Sequence, residues 1–510
     1  MLIIRCCDIS LLYAMMEKRS VMGEMSKIGL YLAYFCIYSL ILLVIGKSSL
    51  RTSATPRDYF ICERMVGLVP CICTFTGTWV SAITILSLTG SVYEDGLAVL
   101  LYSVIPWFTG AFLLAMVTRR LHRCGAITVP EFFRLRYGSR ALQFIYGVVS
   151  MLVYTLYLVS QYKGFGMVAS EVFDIPYSMA VAMIYLFVIY TTFGGYRSVV
   201  RTDVFNLVLL SVSIAALCGM LIARCGGFAV LYERAGQVSG LAHAGMSAPT
   251  KQGELLSLFG GRYTPLVSLS MFWGWGLGLS ANPQYIVRLI SAKDERTAVR
   301  TIGISLFVLI LIYFALVHIG LAMRVLVPSL STAQTTDGIF IHILNNELYG
   351  PWSGLLLFAV IGACVSTANS QLLMIASAFS YDIVRVGSKN ELPGKKIVGL
   401  GRFGVLLGGT IAMLFALDPP AFTLSYGGDL WGVFSILLFP SLYGTLLTGR
   451  VTRHGVWAGL IVGSACIAVL YPLHYHGVLA VHPAVPGVLL SSLAVFLVSA
   501  LERSKRGGGV

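Results

Sequence analysis

Five polar side chains lie within six consecutive positions of one long apolar stretch: Ser366, Thr367, Asn369, Ser370 and Gln371. Polar groups inside a bilayer are costly unless they bind something. Ser366, Asn369 and Ser370 share one helical face because of their i, i+3, i+4 spacing, and Thr367 lies one position round from Ser366. Hydroxyl and carbonyl oxygens are the ligands that hard cations prefer, so the run predicts a Na⁺ site. Hydrogen bonding between helices is the alternative explanation.

Two other apolar stretches, 66–91 and 264–284, are interrupted by residues that weaken a helix. The interruptions are Gly67, Pro70, Gly77 and Gly90 in the first and Gly274, Gly276, Gly278 and Asn282-Pro283 in the second. Broken backbone is tolerated in a membrane only where it lines a protein cavity. Breaks at matching positions of two halves indicate an inverted-repeat transporter, in which free carbonyls of the broken helices coordinate coupling ions. Close packing of helices at glycine is the alternative.

The elements that would position these residues are membrane-spanning helices. Hydrophobic residues make up 57% of the 510 residues and charged residues 11%, unlike a soluble enzyme or a disordered protein. A spanning helix needs about 20 mostly apolar residues. The stretches that qualify are 28–46, 66–91, 97–118, 142–168, 174–192, 202–224, 264–284, 298–324, 351–381, 396–417, 424–447, 454–474 and 486–502.

The net charge of +14 reflects topology rather than nucleic-acid binding, because Lys and Arg concentrate in alternate short loops. Placing those loops inside predicts a multi-pass protein of the cell membrane with an outer N-terminus and a cytoplasmic C-terminus. Residues 1–27 carry cations on the predicted outer side. We interpret them as a leader that a later start at Met22 or Met25 would remove.

The thirteen spans predict an all-α integral membrane protein with a 5+5 inverted repeat. An additional helix at 28–46 precedes the first repeat at 66–224. The second repeat follows at 264–447, and two C-terminal helices occupy 454–502. Because five is odd, the two repeats cross the membrane in opposite senses.

Lys163 is a cation inside the span 142–168. An ionisable residue within a span is a functional candidate, and its simplest use is as a counter-charge for an anionic substrate. Two alternatives remain open. Lys163 could extend to the outer interface, or it could pair with Asp429 in the span 424–447.

Five motifs in order along the chain resemble the sodium:solute symporter family, closest to its pantothenate, proline and sialic acid members. The resemblance covers nearly all of residues 28–450. The motifs are Arg57-Asp58-Tyr59-Phe60 with Arg64; Thr128-Val129-Pro130-Glu131-Phe132 with Arg136-Tyr137-Gly138; Gly194-Gly195-Tyr196-Arg197 with Arg201-Thr202-Asp203; Asn282-Pro283-Gln284-Tyr285 with Arg288, Ala292 and Lys293; and Ser366 to Leu373 with Asp382 and Ile383. The resemblance implies a leucine-transporter-type fold and Na⁺-driven uptake.

The resemblance also implies the ion ligands. The main Na⁺ site would use the carbonyls of Gly77, Val80 and Ala363 and the hydroxyls of Ser366 and Thr367. Some members hold a second Na⁺, which here would involve three further residues besides Ser366. These are Asp203, Ser370 and Asn369, the last of which stands where serine is usual. Asp203 could instead cap a helix.

Residues around the substrate are suggested in the same way. Ser81 and Thr84 match substrate-side hydroxyls of sialic acid members, and Lys163 resembles their cation. Trp79 departs from the family, in which some members have a polar residue at this position. It could form the floor of the substrate cavity, or it could be an aromatic residue packed in the core. Asn282, Tyr285 and Asp429 are further candidates.

Together the residues and the resemblance predict Na⁺-coupled symport of a small organic solute, with a carboxylate favoured. An amino acid such as proline or a neutral solute is the alternative. A receptor that keeps the transporter fold is the alternative from another class. An enzyme is disfavoured because the spans lack a cluster of titratable groups. The expected partners are a small solute and the lipid bilayer, with neither nucleic acid nor an obligatory protein partner.

Overall fold

The computed structural model describes residues 27–46, 55–244, 246, 248–420 and 423–507. These residues form helices joined by loops, with isolated β-bridges in place of any β-strand. The leader predicted at 1–27 lies outside the described residues, apart from Lys27.

The helices that build the fold are labelled in chain order. They are α1 (Lys27–Gly46), α2 (Pro56–Ile61), α3 (Leu68–Trp79), α4 (Ile83–Asp95), α5 (Leu100–Arg123), α6 (Val129–Tyr137), α7 (Arg140–Phe173), α8 (Tyr177–Thr192), α9 (Tyr196–Cys225), α10 (Phe228–Gln237), α11 (265–281), α12 (Pro283–Ile290), α13 (Glu295–Leu326), α14 (Ile339–His342), α15 (Trp352–Gly387), α16 (Gly394–Ala416), α17 (Leu424–Leu437), α18 (Phe439–Thr448), α19 (Arg453–Tyr475) and α20 (Ala484–Lys505).

Nine helices in the described part of the chain are long and apolar enough to cross a membrane. The bent pairs α3–α4 and α17–α18 raise that count to eleven. Eleven of the predicted spans coincide with these helices and pairs. The other two, 174–192 and 264–284, coincide with the shorter α8 and with α11.

Two helices break inside the bundle. The axes of α3 and α4 differ by 58°, because Val80 leaves the helix with φ −83° and ψ 99°. The second break is at Asn282, whose backbone is extended with ψ 119°. Its side-chain oxygen accepts a hydrogen bond from the Gln284 amide at 3.0 Å and caps α12. The interrupted stretches of the sequence are therefore broken, the first at Val80 and Ser81 and the second at Asn282.

The first break is enclosed by other helices of the core. α3 packs against α9, α13 and α15, and α15 also packs along α7. α9 begins after Gly195, whose φ of +70° suits glycine. A Cβ at Gly195 would lie 2.7 Å from the Tyr59 ring, so only glycine lets α9 approach α2 this closely. The Gly-Gly motif of the sequence thus places α9, which carries Asp203.

The peripheral helices attach to this core by polar contacts and packing. The Tyr38 hydroxyl of α1 donates to Asn206 Oδ1 on α9 at 3.2 Å. The Tyr31 hydroxyl donates to Asn345 Oδ1 at 3.0 Å. The C-terminal helices α19 and α20 pack on each other and on α17.

Candidate functional site

The break between α3 and α4 leaves backbone oxygens available. Within the described residues, no N–H or O–H donates to the carbonyls of Gly77 and Val80. The Ala82 amide, which a continuous helix would direct to Thr78, donates instead to Gln161 Oε1 at 3.2 Å. Both carbonyls of the break that the family resemblance assigns to Na⁺ are therefore free to bind a cation.

The hydroxyls expected at this site come from α15. A Cβ built at Gly77 would lie 3.7 Å from Ser366 Oγ, so α15 passes close to the break. The Thr367 hydroxyl is buried, and it has no hydrogen-bond partner among the described residues. An unsatisfied buried polar group costs about 1–3 kcal/mol. Ala363, one turn earlier on α15, is also buried. This group of oxygens fits a hard cation.

Asp203 of α9 adjoins the same oxygens. Its carboxylate accepts hydrogen bonds from Thr74 Oγ1 at 2.5 Å and from Ser366 Oγ, and its side chain is fully buried. Asp203 lies well inside α9 rather than at its beginning. The helix-capping explanation for Asp203 is therefore wrong.

The three residues suggested for a second Na⁺ do not converge. Asn369 Oδ1 faces α8, where it accepts from the hydroxyls of Thr191 at 2.7 Å and Thr192 at 3.0 Å. Ser370 Oγ accepts from Arg288 Nη2 at 2.5 Å. The Arg288 guanidinium is fully buried, so a fixed cation occupies the surroundings of Ser370.

A small and nearly closed cavity lies on the other side of the break, with a volume of about 10 Å³. Of the candidate substrate residues, Trp79, Ser81 and Thr84 line it. The other lining residues are Ile83, Trp107, Tyr157, Trp275, Tyr313 and Trp431. None of the lining residues is charged. The cavity is therefore an aromatic box with a few hydroxyls.

Three indole groups around this box have unused donors. The Nε1 atoms of Trp79, Trp107 and Trp431 are buried without a hydrogen-bond acceptor in the described residues. The sequence analysis identified Trp79 but missed Trp107 and Trp431. The available signal was tryptophan within an apolar span, because a buried indole N–H usually finds a hydrogen-bond acceptor.

Tyr285 and Asn282 lie next to the box rather than in it. The centroid of the Tyr285 ring lies 5.4 Å from that of Trp79 and 5.7 Å from that of Trp431. Tyr285 therefore packs behind the residues that line the box. Asn282 Oδ1 accepts from the Tyr154 hydroxyl at 2.5 Å, which places this side chain in the second break.

Lys163 lies outside the aromatic box. Its ammonium is 2.5 Å from Asp337 Oδ2 and donates to the Pro420 carbonyl at 2.8 Å, and the residue is 6% exposed. The suggested pair with Asp429 is wrong, because Lys163 pairs with Asp337. Asp337 and Pro420 lie in connections that the charge pattern places on the outer side, so the Lys163 side chain extends in that direction and ends in a buried ion pair. Asp429 instead accepts from the Tyr475 hydroxyl at 2.5 Å and lies 3.4 Å from His482 Nε2.

A cluster of charged side chains lies at the C-terminal end of α4. Arg262 pairs with Glu94, and its Nε lies 3.5 Å from Asp95 Oδ2. Burial lowers the pKa of the Arg262 guanidinium, but the neighbouring Asp95 and Glu94 carboxylates raise it by more, so Arg262 stays charged. His243 Nε2 lies 3.1 Å from Glu94 Oε1. The sequence analysis did not anticipate this cluster, whose members are far apart in the chain.

Comparison with known proteins bears on the family and the fold of the chain. The model of the sodium:solute symporter family matches residues 59–463. A sodium/proline symporter of Staphylococcus aureus is 26% identical over 487 residues, which cover 92% of each chain. The structure of a Na⁺-coupled sialic acid symporter in a substrate-bound outward-open state aligns with a TM-score of 0.76 at 18% identity, over 92% of this chain and 97% of that one. Mhp1, a nucleobase-cation-symport-1 family transporter, aligns with a TM-score of 0.56 at 14% identity, over 88% and 94%. The predicted leucine-transporter-type fold is confirmed.

Proposed function

The chain belongs to the sodium:solute symporter family, and we propose that it couples Na⁺ entry to uptake of a small zwitterionic carboxylate by alternating access. It is a multi-pass membrane protein with the fold of a transporter. We place it in the cell membrane in the predicted orientation, with the N-terminus outside and the C-terminus in the cytoplasm. One observation carries the proposal. The break between α3 and α4 supplies carbonyl oxygens for Na⁺ and also forms part of the wall of the aromatic box.

The coupling follows from that shared break. Na⁺ held by the carbonyls of Gly77, Val80 and Ala363 and the hydroxyls of Ser366 and Thr367 would draw α3 onto α15. Trp79 and Ser81 flank Val80 in the chain and line the box. Fixing the backbone at Val80 therefore fixes a wall of the box, and each ligand raises the affinity for the other.

The box is nearly closed in this conformation, since its volume of about 10 Å³ holds about one water molecule. A solute of any size could enter only if the walls of the box moved apart. The choice among the solutes that the sequence suggested therefore rests on the chemistry of the lining.

The chemistry of the box fits a zwitterion. Aromatic faces attract a compact ammonium group. The free indole N–H groups of Trp79 and Trp431 and the amino end of α4 offer donors and a positive dipole to a carboxylate. Lys163 is neutralised by Asp337, so the carboxylate would bind without a full counter-charge.

The coupling is tested by uptake into proteoliposomes of the purified protein with an inward Na⁺ or K⁺ gradient. The labelled solutes are proline, glycine betaine, choline, acetate, sialic acid and pantothenate. We expect Na⁺-dependent accumulation of proline or glycine betaine and little uptake of choline or acetate, which carry one charge each. The Na⁺ dependence should have a Hill coefficient of about one, because Arg288 occupies the surroundings of Ser370.

Uptake of sialic acid or pantothenate, which are anions without an ammonium group, would contradict the zwitterion argument while leaving the coupling intact. Equal uptake of any solute with Na⁺ and K⁺ would contradict the coupling itself. A Hill coefficient near two would show that the second ion site is functional despite Arg288.

Substitution of Trp431 separates two expected contacts with the solute, one from the aromatic face and one from the indole N–H. Trp431→Phe keeps an aromatic face and loses the indole N–H, whereas Trp431→Leu loses both. We expect KM to rise for both variants and more for Leu, by about 30-fold, since a desolvated cation–π contact is worth about 2 kcal/mol. Trp457→Leu on α19, which does not line the box, is the matched control. Equal KM values for Trp431→Leu and wild type would refute this role.

A further inference from the structure

A large cavity lies at the opposite end of the molecule from the Arg262 cluster. Its volume is about 560 Å³. Its walls come from the region of α2, from residues 127–140 and from the end of α15 with the loop that follows. The charge pattern of the sequence places all three segments on the inner side.

The cavity is strongly basic. Five cations line it, against two carboxylates. The cations are Arg57, Arg134, Arg140, Arg385 and Lys389, and the carboxylates are Glu63 and Glu391. Within the described part of the chain, Arg57, Arg140 and Lys389 form no ion pair.

Two of the arginines are held in place beside Glu131. Arg134 Nη2 donates to Glu131 Oε1 at 2.7 Å, while its Nε is buried with no acceptor among the described residues. The Arg385 guanidinium lies 4.1 Å from the centre of the Tyr381 ring. Its Nη1 is 3.8 Å from Glu131 Oε1 and makes no hydrogen bond to a described residue. Fixed guanidinium forks match the geometry of phosphate oxygens.

Topology alone does not explain this concentration of charge. Inner loops are rich in Lys and Arg in any membrane protein, and Arg136, Lys395 and Lys396 meet that need from exposed positions outside the cavity. The lining cations are instead gathered from three segments around one concave space. We propose that this cavity binds a phosphate-bearing anion, either the headgroup of an anionic phospholipid or a soluble phosphate compound.

An anion in this cavity would join two elements that lead to the predicted ion site. α2 leads into the first broken helix, and Tyr381 and Arg385 end the helix that carries Ser366 and Thr367. A phosphate bridging Arg57 and Arg385 would hold these two elements together on the predicted inner side.

The test compares two triple variants of the full-length protein in detergent. The cavity variant is Arg57→Gln/Arg140→Gln/Lys389→Gln, and the control is Arg136→Gln/Lys395→Gln/Lys396→Gln, which removes the same charge outside the cavity. The probes are phosphatidic acid, phosphatidylcholine and inorganic pyrophosphate, with dissociation constants measured for each. We expect wild type and control to prefer phosphatidic acid to phosphatidylcholine, and the cavity variant to bind phosphatidic acid about 100-fold more weakly.

The pyrophosphate measurement distinguishes a soluble phosphate compound from a phospholipid headgroup as the bound anion. Pyrophosphate binding that depends on the cavity cations would assign the site to a soluble phosphate compound, and preference for phosphatidic acid alone would assign it to lipid. Equal weakening in both triple variants would overturn the proposal, because surface charge would then explain the binding. Failure of wild type to bind either phosphate probe would also overturn it. Arg140→Gln alone serves if the triple variant does not fold.

Discussion

Thr367→Val is expected to raise the Na⁺ concentration for half-maximal uptake by about 10- to 100-fold without lowering the free energy of unfolding. The Thr367 hydroxyl is buried and has no hydrogen-bond partner among the described residues. Its loss therefore breaks no contact, and it removes a polar group that burial penalises by about 1–3 kcal/mol. As a ligand to a cation the same hydroxyl contributes about 1.5–3 kcal/mol. Na⁺ titration of uptake and thermal unfolding without Na⁺ measure the two effects.

Two further serine variants on the same helix serve as comparisons: Ser366→Ala alters a second predicted ligand, and Ser380→Ala is the control. Ser366→Ala should also impair Na⁺ dependence, but it removes the hydrogen bond to Asp203, so its stability should fall. Ser380 donates only to the Ala376 carbonyl at 2.7 Å, and Ser380→Ala should leave Na⁺ dependence unchanged. If Thr367→Val keeps the wild-type Na⁺ dependence, Thr367 is not a ligand and the main ion site is wrongly assigned.

Much of the fold could be predicted because a membrane restricts what a chain can do. Apolar stretches had to become helices, since backbone groups in lipid must bond within their own segment. Gly77 and Asn282-Pro283 marked interruptions that are broken in the structure at Val80 and Asn282. The polar run on α15 could be placed near the first break because only an ion or a partner helix would compensate for it.

The aromatic box could not be predicted in the same way. Its walls combine Trp79, Trp107, Tyr157, Trp275 and Trp431, which lie on five separate parts of the chain. In the sequence each is an ordinary aromatic of an apolar span, and only packing brings them together. Periodicity within one helix carries no information about which faces of different helices meet.

The partner of Lys163 was missed for a related reason. Asp337 lies in a loop before α14 rather than in a span, so it was not considered as a partner inside the bundle. The loop nevertheless enters the bundle, and Asp337 is 2% exposed. A search restricted to spans therefore selected Asp429, whose carboxylate instead accepts a hydrogen bond from the Tyr475 hydroxyl.

Lys163→Met is expected to lower the free energy of unfolding by about 3–5 kcal/mol, because it removes the ammonium 2.5 Å from the buried Asp337 carboxylate. The double variant Lys163→Met/Asp337→Asn should recover most of this loss, since it removes both buried charges and keeps similar volumes. Arg123→Gln is the control. It removes a surface partner of Glu295 with a side chain 70% exposed, and it should change stability little. Thermal and denaturant unfolding in detergent compare the three.

Uptake by the same double variant decides what Lys163 is for. If Lys163 only balances Asp337, the double variant should recover Na⁺-dependent uptake together with stability, because the aromatic box lies elsewhere. If Lys163 binds the substrate carboxylate, the double variant should be stable but inactive, while Asp337→Asn alone keeps activity. Stability and uptake that recover together therefore identify a structural ion pair, which joins α7 to the loop of Asp337 and, through the Pro420 carbonyl, to the segment before α17. A carboxylate substrate must then be bound by the dipole of the broken helix and by the N–H groups around the box, without a full counter-charge.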